Sequence, residues 1–226
     1  MTENTFSRLH RAIREHLEKI GLEEPSGIQR IAINPILEGE NVLVIAPTGT
    51  GKTLASILPI FNSFLDYRTA GEVRGISILY ITPLRALNRD ILRRLSDIGR
   101  ELDIKVQVRH GDTPPSAKAM QAKSPPDMLV TTPETLQAIL PGRRMREHLK
   151  GVRWVVVDEV HELATDERGV QLCVALERLE HLTGISFQRI GLSATVGEEG
   201  IVAQFLAGTD RKVTIAKSEE LRRFEV

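Results

Sequence analysis

The chain has 226 residues, enough for one α/β domain with a sizeable core, and its 30 Lys+Arg balance 30 Asp+Glu. A net charge of zero excludes a grip on nucleic acid through bulk charge, so any such contact has to be local. The single cysteine, Cys173, excludes a disulfide framework and a cysteine-based zinc site. No apolar run approaches membrane-spanning length, and the N-terminus lacks a basic segment followed by an apolar one, so an intracellular setting without membrane contact is expected.

Phe6, Leu9, Ile13, Leu17 and Ile20 fall at helical spacing, and Gly21 is placed to end that helix. A loop with Pro25 precedes a second helical stretch, Ile28 to Leu37, which carries Pro35 and stops at Gly39. Apolar strand candidates then recur, each trailed by a helix-like segment: 42–46, 76–81, 128–130, 154–157 and 188–192, with 105–108 and 212–215 as further strands. Apolar runs without strict alternation suit strands covered on both faces, and strand–helix repetition predicts a doubly wound, mainly parallel sheet with helices on both faces. The stretch 1–39 reads as a helical segment of the same domain, 40–215 as the core, and 216–226 as a charged linker. Cys173, within the helix-like 170–182, reads as a small core residue.

The most informative segment is Ala46-Pro47-Thr48-Gly49-Thr50-Gly51-Lys52-Thr53, directly after an apolar strand. Glycines let backbone N–H groups turn toward phosphate oxygens. Lys52 is placed for the β and γ phosphates, Thr53 can offer its hydroxyl to Mg²⁺, and the helix that follows adds its positive end. Ala46 stands where the usual pattern has glycine. The loop alone leaves kinase, motor, transporter ATPase and helicase open.

A second constellation follows the strand 154–157. There Asp158-Glu159-Val160-His161 delivers two carboxylates at a strand end, Asp158 to hold Mg²⁺ and Glu159 to orient and deprotonate an attacking water. A plain solvated acidic loop is the competing reading, and the phosphate loop upstream disfavours it. The six histidines show no metal-ligand spacing.

Gln29, APTGTGKT, Thr82-Pro-Leu-Arg-Ala-Leu-Asn88, Thr131-Thr-Pro-Glu134, DEVH and Ser193-Ala-Thr195 occur in that order. The set resembles the first motor domain of superfamily 2 DExD/H-box helicases, a RecA-like fold in which Ala46 is usual at the loop's first position. Arg109-His-Gly-Asp-Thr113 with DEVHEL and GLSATVG looks most like the large helicase-related (Lhr) family.

The resemblance implies that Gln29 reads adenine, for which a carboxamide suits the N6 and N7 edge. It implies that Ser193 and Thr195, with His161, couple hydrolysis to nucleic-acid binding. Thr82-Pro83 and Thr132-Pro133 would start helices and hold one strand through its backbone, with Arg85 adding a phosphate contact and Gly111 and Asp112 bordering the path. Expected cofactors are ATP and Mg²⁺. Expected partners are single-stranded nucleic acid, with DNA favoured over RNA, and a second RecA-like domain in the same parent. Arg89, Arg93 and Arg94 read as a solvated helix face. A binding module without turnover, or an unrelated phosphate-loop enzyme, are the alternatives.

Overall fold

The computed structural model describes residues 4–71, 73, 75–83, 89–194 and 198–219, with Arg89 described by its backbone alone. The chain divides into two compact units, Met1–Gly71 with Arg189–Val226, and Glu72–Gln188. All seven strands among the described residues pair in parallel.

In the first unit, a 3₁₀ turn at Thr5–Arg8 leads into α1 (Arg11–Lys19) and α2 (Gly27–Leu37). The single first helix expected from the periodicity is therefore broken. His10 takes an extended backbone and its Nδ1 accepts the Ala12 N–H at 3.2 Å, which makes it the cap of α1. Phe6, Leu9, Ile13 and Leu17 are all buried regardless, because turn and helix face the same side. Pro35 sits inside α2 without ending it, and Gly39 follows at φ 82°.

Strand β1 (Val42–Ile45) runs into α3 (Lys52–Thr69). It lies between β6 (Gln188–Ser193), which belongs to this unit from Arg189 onward, and β7 (Thr214–Lys217), with Ile45 level with both Ser193 and Lys217. The linker expected from Ala216 thus starts too early, since Ala216 and Lys217 continue the β1 ladder. Helix α10 (Glu199–Ala207) connects β6 to β7. Every residue of β1 is buried, as two covered faces require. Ile57, Leu58, Ile60, Phe61 and Phe64 of α3 are wholly buried. Transfer of each from water is worth about 1.5–3 kcal/mol, so the helix behind the phosphate loop is firmly seated.

The second unit holds β2 (Ile78–Ile81), α4 (Arg89–Glu101), β3 (Val106–Arg109), α5 (Pro115–Lys123) and β4 (Met128–Thr131). Then come α6 (Pro133–Ile139), α7 (Arg143–Leu149), β5 (Trp154–Val157), α8 (Val160–Ala164) and α9 (Glu167–Thr183). Within it the pairing runs β3-β4-β2-β5. Strands β2, β4 and β5 are buried throughout, whereas β3, paired only with β4 among the described strands, is half-buried along its length.

Arg93 and Arg94 are exposed on α4, as expected, and Arg93 pairs with Asp97 at 3.7 Å. Cys173 lies on α9 but is only partly buried, so it is not the core residue the pattern suggested. It lies on the side of the exposed Val170 and Val174 rather than on the buried stripe of Leu172, Leu176 and Leu179.

Candidate functional site

One group of candidate site residues belongs to the first unit. β1 ends at Ile45, and the next eight residues are the phosphate loop and the first turn of α3. Gly49 (φ 80°) and Gly51 (φ 98°) both occupy the left-handed region, and Gly51 is the residue that opens the helix. Thr50 closes the turn with its hydroxyl on the Pro47 carbonyl at 2.7 Å. Thr48 is exposed, and Thr53 is partly buried at the start of the helix. Lys52 is buried, and its ammonium donates to the Ala46 carbonyl at 2.5 Å and the Pro47 carbonyl at 3.1 Å. Those acceptors are neutral. An anionic phosphate oxygen adds charge–charge attraction to the ammonium's hydrogen bond, so exchange toward an incoming phosphate is favourable.

Gln29 is 1% exposed. Its Oε1 accepts the Ser26 N–H at 2.9 Å and its Nε2 donates to the Gly51 carbonyl at 3.4 Å. The carboxamide thus ties the start of α2 to the phosphate loop, a link the sequence reading did not contain. A Cβ at Gly51 would lie 2.6 Å from Gln29 Nε2. Gly51→Ala is therefore expected to lower stability by about 1–3 kcal/mol, from left-handed strain, and to abolish nucleotide binding. Denaturant unfolding and nucleotide titration check both, and wild-type affinity in this variant would refute the loop geometry as the binding element. Ser193, 1% exposed, ends β6 beside this loop, and its carbonyl accepts the Ala46 N–H at 3.2 Å. Thr195 lies outside the described residues.

A second group of candidate site residues belongs to the second unit. Ile81 is level with Val157 on one side and Thr131 on the other, and Thr131 with Arg109. With all four strands parallel, Asp158, Thr82, Thr132 and His110 leave the sheet at one edge, the edge where such folds bind ligands. Asp158 is 5% exposed. Its Oδ1 accepts the Glu159 N–H at 2.9 Å and its Oδ2 the hydroxyl of Tyr80 at 2.5 Å. Glu159 takes φ 47°, one of two positive values among non-glycine described residues. That conformation turns the chain into α8 and stands at a cost of about 1–3 kcal/mol. The Glu159 carboxylate lies 3.5 Å from His161 Nδ1, and both side chains are about a quarter exposed (23% each).

Thr132 caps α6 by accepting the Thr135 N–H, and Pro133 occupies the first helical position, as expected. Thr82 and Pro83 follow β2 directly, and residues 84–88, Arg85 among them, lie outside the described residues. Thr82 itself is buried, and its hydroxyl has no hydrogen-bond partner among the described residues. Gly111 and Asp112 line a groove with Thr132, Glu134, Thr135 and Arg168. Arg168 and Glu134 form an ion pair at 2.6 Å, which the sequence reading missed. Burial raises the Glu134 pKa. Its own backbone N–H, the Thr132 hydroxyl and Arg168 together outweigh that, so the carboxyl stays below its ordinary range. Tyr80 was missed as well, although a tyrosine within a buried aliphatic strand signals a hydroxyl in need of a partner.

A family model for DEAD/DEAH box helicases matches residues 26–201. The chain belongs to that family. An ATP-dependent helicase Lhr-Core of Methanothermobacter thermautotrophicus is 44% identical over 214 residues, covering 88% of this chain and 25% of that protein. The Lhr helicase/uracil glycosylase of Escherichia coli is 40% identical over 221 residues, covering 90% of this chain and 14% of that protein. Among solved structures, Mycobacterium smegmatis helicase Lhr bound to ssDNA and AMP-PNP superposes with a TM-score of 0.84 at 40% identity, over 94% of this chain and 28% of that one. The chain is thus a DEAD/DEAH box helicase motor domain with a RecA-like α/β fold, and the unrelated phosphate-loop kinase is set aside. It spans about a quarter or less of its curated relatives' length.

Proposed function

We propose that this domain is the first of two RecA-like motor domains in an ATP-dependent helicase or translocase that moves along single-stranded nucleic acid, DNA in preference to RNA. In this reading residues 1–39 and the core from 40 onward act as one domain, and the connection toward the second domain begins after β7. ATP is bound by 46–53 with Gln29 at the adenine, and Lys52 neutralises the phosphates. Glu159 takes the proton of the attacking water. His161, Ser193 and Thr195 relay the hydrolysis state. Thr82, Pro83, Arg85, Gly111, Thr132 and Pro133 hold one strand by its backbone.

Magnesium fits the donors present. Thr53 of the first unit would offer a hydroxyl and Asp158 of the second a buried carboxylate, hard oxygen donors of the kind the ion takes. When bound, the ion neutralises charge on the β and γ phosphates.

The observation that carries the reading is the level edge of the second unit. There the hydrolysis carboxylates of β5 and the threonines that follow β2 and β4 leave neighbouring strands at the same height. Chemistry and track-binding side chains on one edge suit a motor. The preference for DNA draws on the Mycobacterium Lhr structure with ssDNA, and on the helicase MrfA bound to DNA and AMPPNP, which is 26% identical with a TM-score of 0.80. The test is ATP hydrolysis by the longer protein with ssDNA, ssRNA or neither. Turnover is expected to rise with nucleic acid, more with DNA. Turnover indifferent to both would overturn the proposal.

A further inference from the structure

We propose that Tyr80 is a positioning residue for the magnesium carboxylate Asp158, an inference that rests on the ATPase reading above. Tyr80 is wholly buried in β2 and pairs in register with Val156 of β5. Asp158 follows two residues later along the β5 line, and side chains two apart on a strand share a face, so the two form a diagonal pair that an aromatic side chain spans. The Tyr80 hydroxyl donates to Asp158 Oδ2 at 2.5 Å.

A carboxylate at a strand end can turn about two torsions. Here Oδ1 is held by the Glu159 N–H and Oδ2 by a hydroxyl fixed in the sheet, so both oxygens, and hence the carboxylate plane, are set before any ion arrives. Partners behind a metal-binding carboxylate orient it in this way, and their removal costs about 10–100-fold in metal affinity or activity. The same strand continues directly into Thr82 and Pro83, so the carboxylate is anchored to the strand that carries the proposed nucleic-acid threonine.

The experiment uses the 226-residue chain, Tyr80→Phe, and a fluorescent ATP analogue titrated across magnesium concentrations and in EDTA. Phenylalanine keeps the ring and removes only the hydroxyl. The magnesium concentration at half-maximal binding is expected to rise about tenfold, with affinity in EDTA unchanged. An unshifted magnesium midpoint overturns the proposal. So does an equal loss of affinity with and without magnesium, which is what a merely structural role would give. Equal wild-type affinity in magnesium and in EDTA removes Asp158 as a magnesium carboxylate and overturns this inference, while the ATPase reading is judged separately by the hydrolysis assay above. Should phenylalanine prevent folding, as judged by circular dichroism, Tyr80→Met repeats the measurement with a flexible side chain that lacks the hydroxyl.

Discussion

Glu159→Gln in the longer helicase is expected to lower ATP turnover by about 10²–10⁴ while leaving nucleotide affinity near that of the wild type, since that is the range a positioned general base supplies. Glutamine has the same shape and length, but an amide cannot take the proton of the attacking water. The proposed binding elements are elsewhere: Lys52 and the left-handed glycines shape the phosphate loop, and Asp158 keeps the Tyr80 hydroxyl and the Glu159 N–H, because the Glu159 contribution is its backbone rather than its carboxylate. The 3.5 Å approach to His161 is altered, and that pair is partly exposed. Steady-state hydrolysis with saturating ssDNA, beside equilibrium binding of a non-hydrolysable nucleotide, separates the two effects. Retained turnover would remove Glu159 as the base. Lost binding would mean that the side chain holds nucleotide instead.

The isolated 226-residue chain is expected to hydrolyse ATP about 10³–10⁵-fold more slowly than a protein containing the proposed second motor domain, and to respond little to nucleic acid. That range is the contribution of an arginine delivered to the γ-phosphate in phosphate-loop enzymes that depend on one. Lys52, Asp158 and Glu159 are all present here. The family resemblance assigns the γ-phosphate arginines to the second domain, whose closure against the first would bring them in. Parallel hydrolysis and strand-separation assays on the chain and on the longer protein check this. Robust unwinding by the 226-residue chain alone would sink the two-domain reading.

Much of the fold was legible because buried parallel strands are written as short apolar runs. β5 falls at its expected residues, and the other six strands start or stop within two residues of theirs. The misses have physical causes. Helical periodicity ran through Leu9 and His10 because the 3₁₀ turn and α1 bury the same side. The break lies in the backbone of His10, which side-chain spacing does not report. The C-terminal boundary was set too early because Lys217 looks like the start of a charged tail, although its backbone still pairs with β1.

In the site, each motif announced itself by its own residues, whereas the links between motifs did not. Gln29 contacts Gly51 across 22 residues, and Arg168 contacts Glu134 across 34. Tyr80 meets Asp158 across 78, through a strand register that only the sheet defines. One sequence carries no information on such pairings beyond the chemical need of a buried polar group for a partner.

The positive φ of Glu159 has a consequence for how this domain can change over generations. Asparagine and glycine sit more easily in that backbone, so substitution to either would relieve strain as it removed the proposed base. Selection for abundance or heat resistance alone would therefore drift toward proteins that fold well, bind their track and never step. On the proposed role, a glutamate that fits its backbone poorly would persist at position 159 only under selection for turnover.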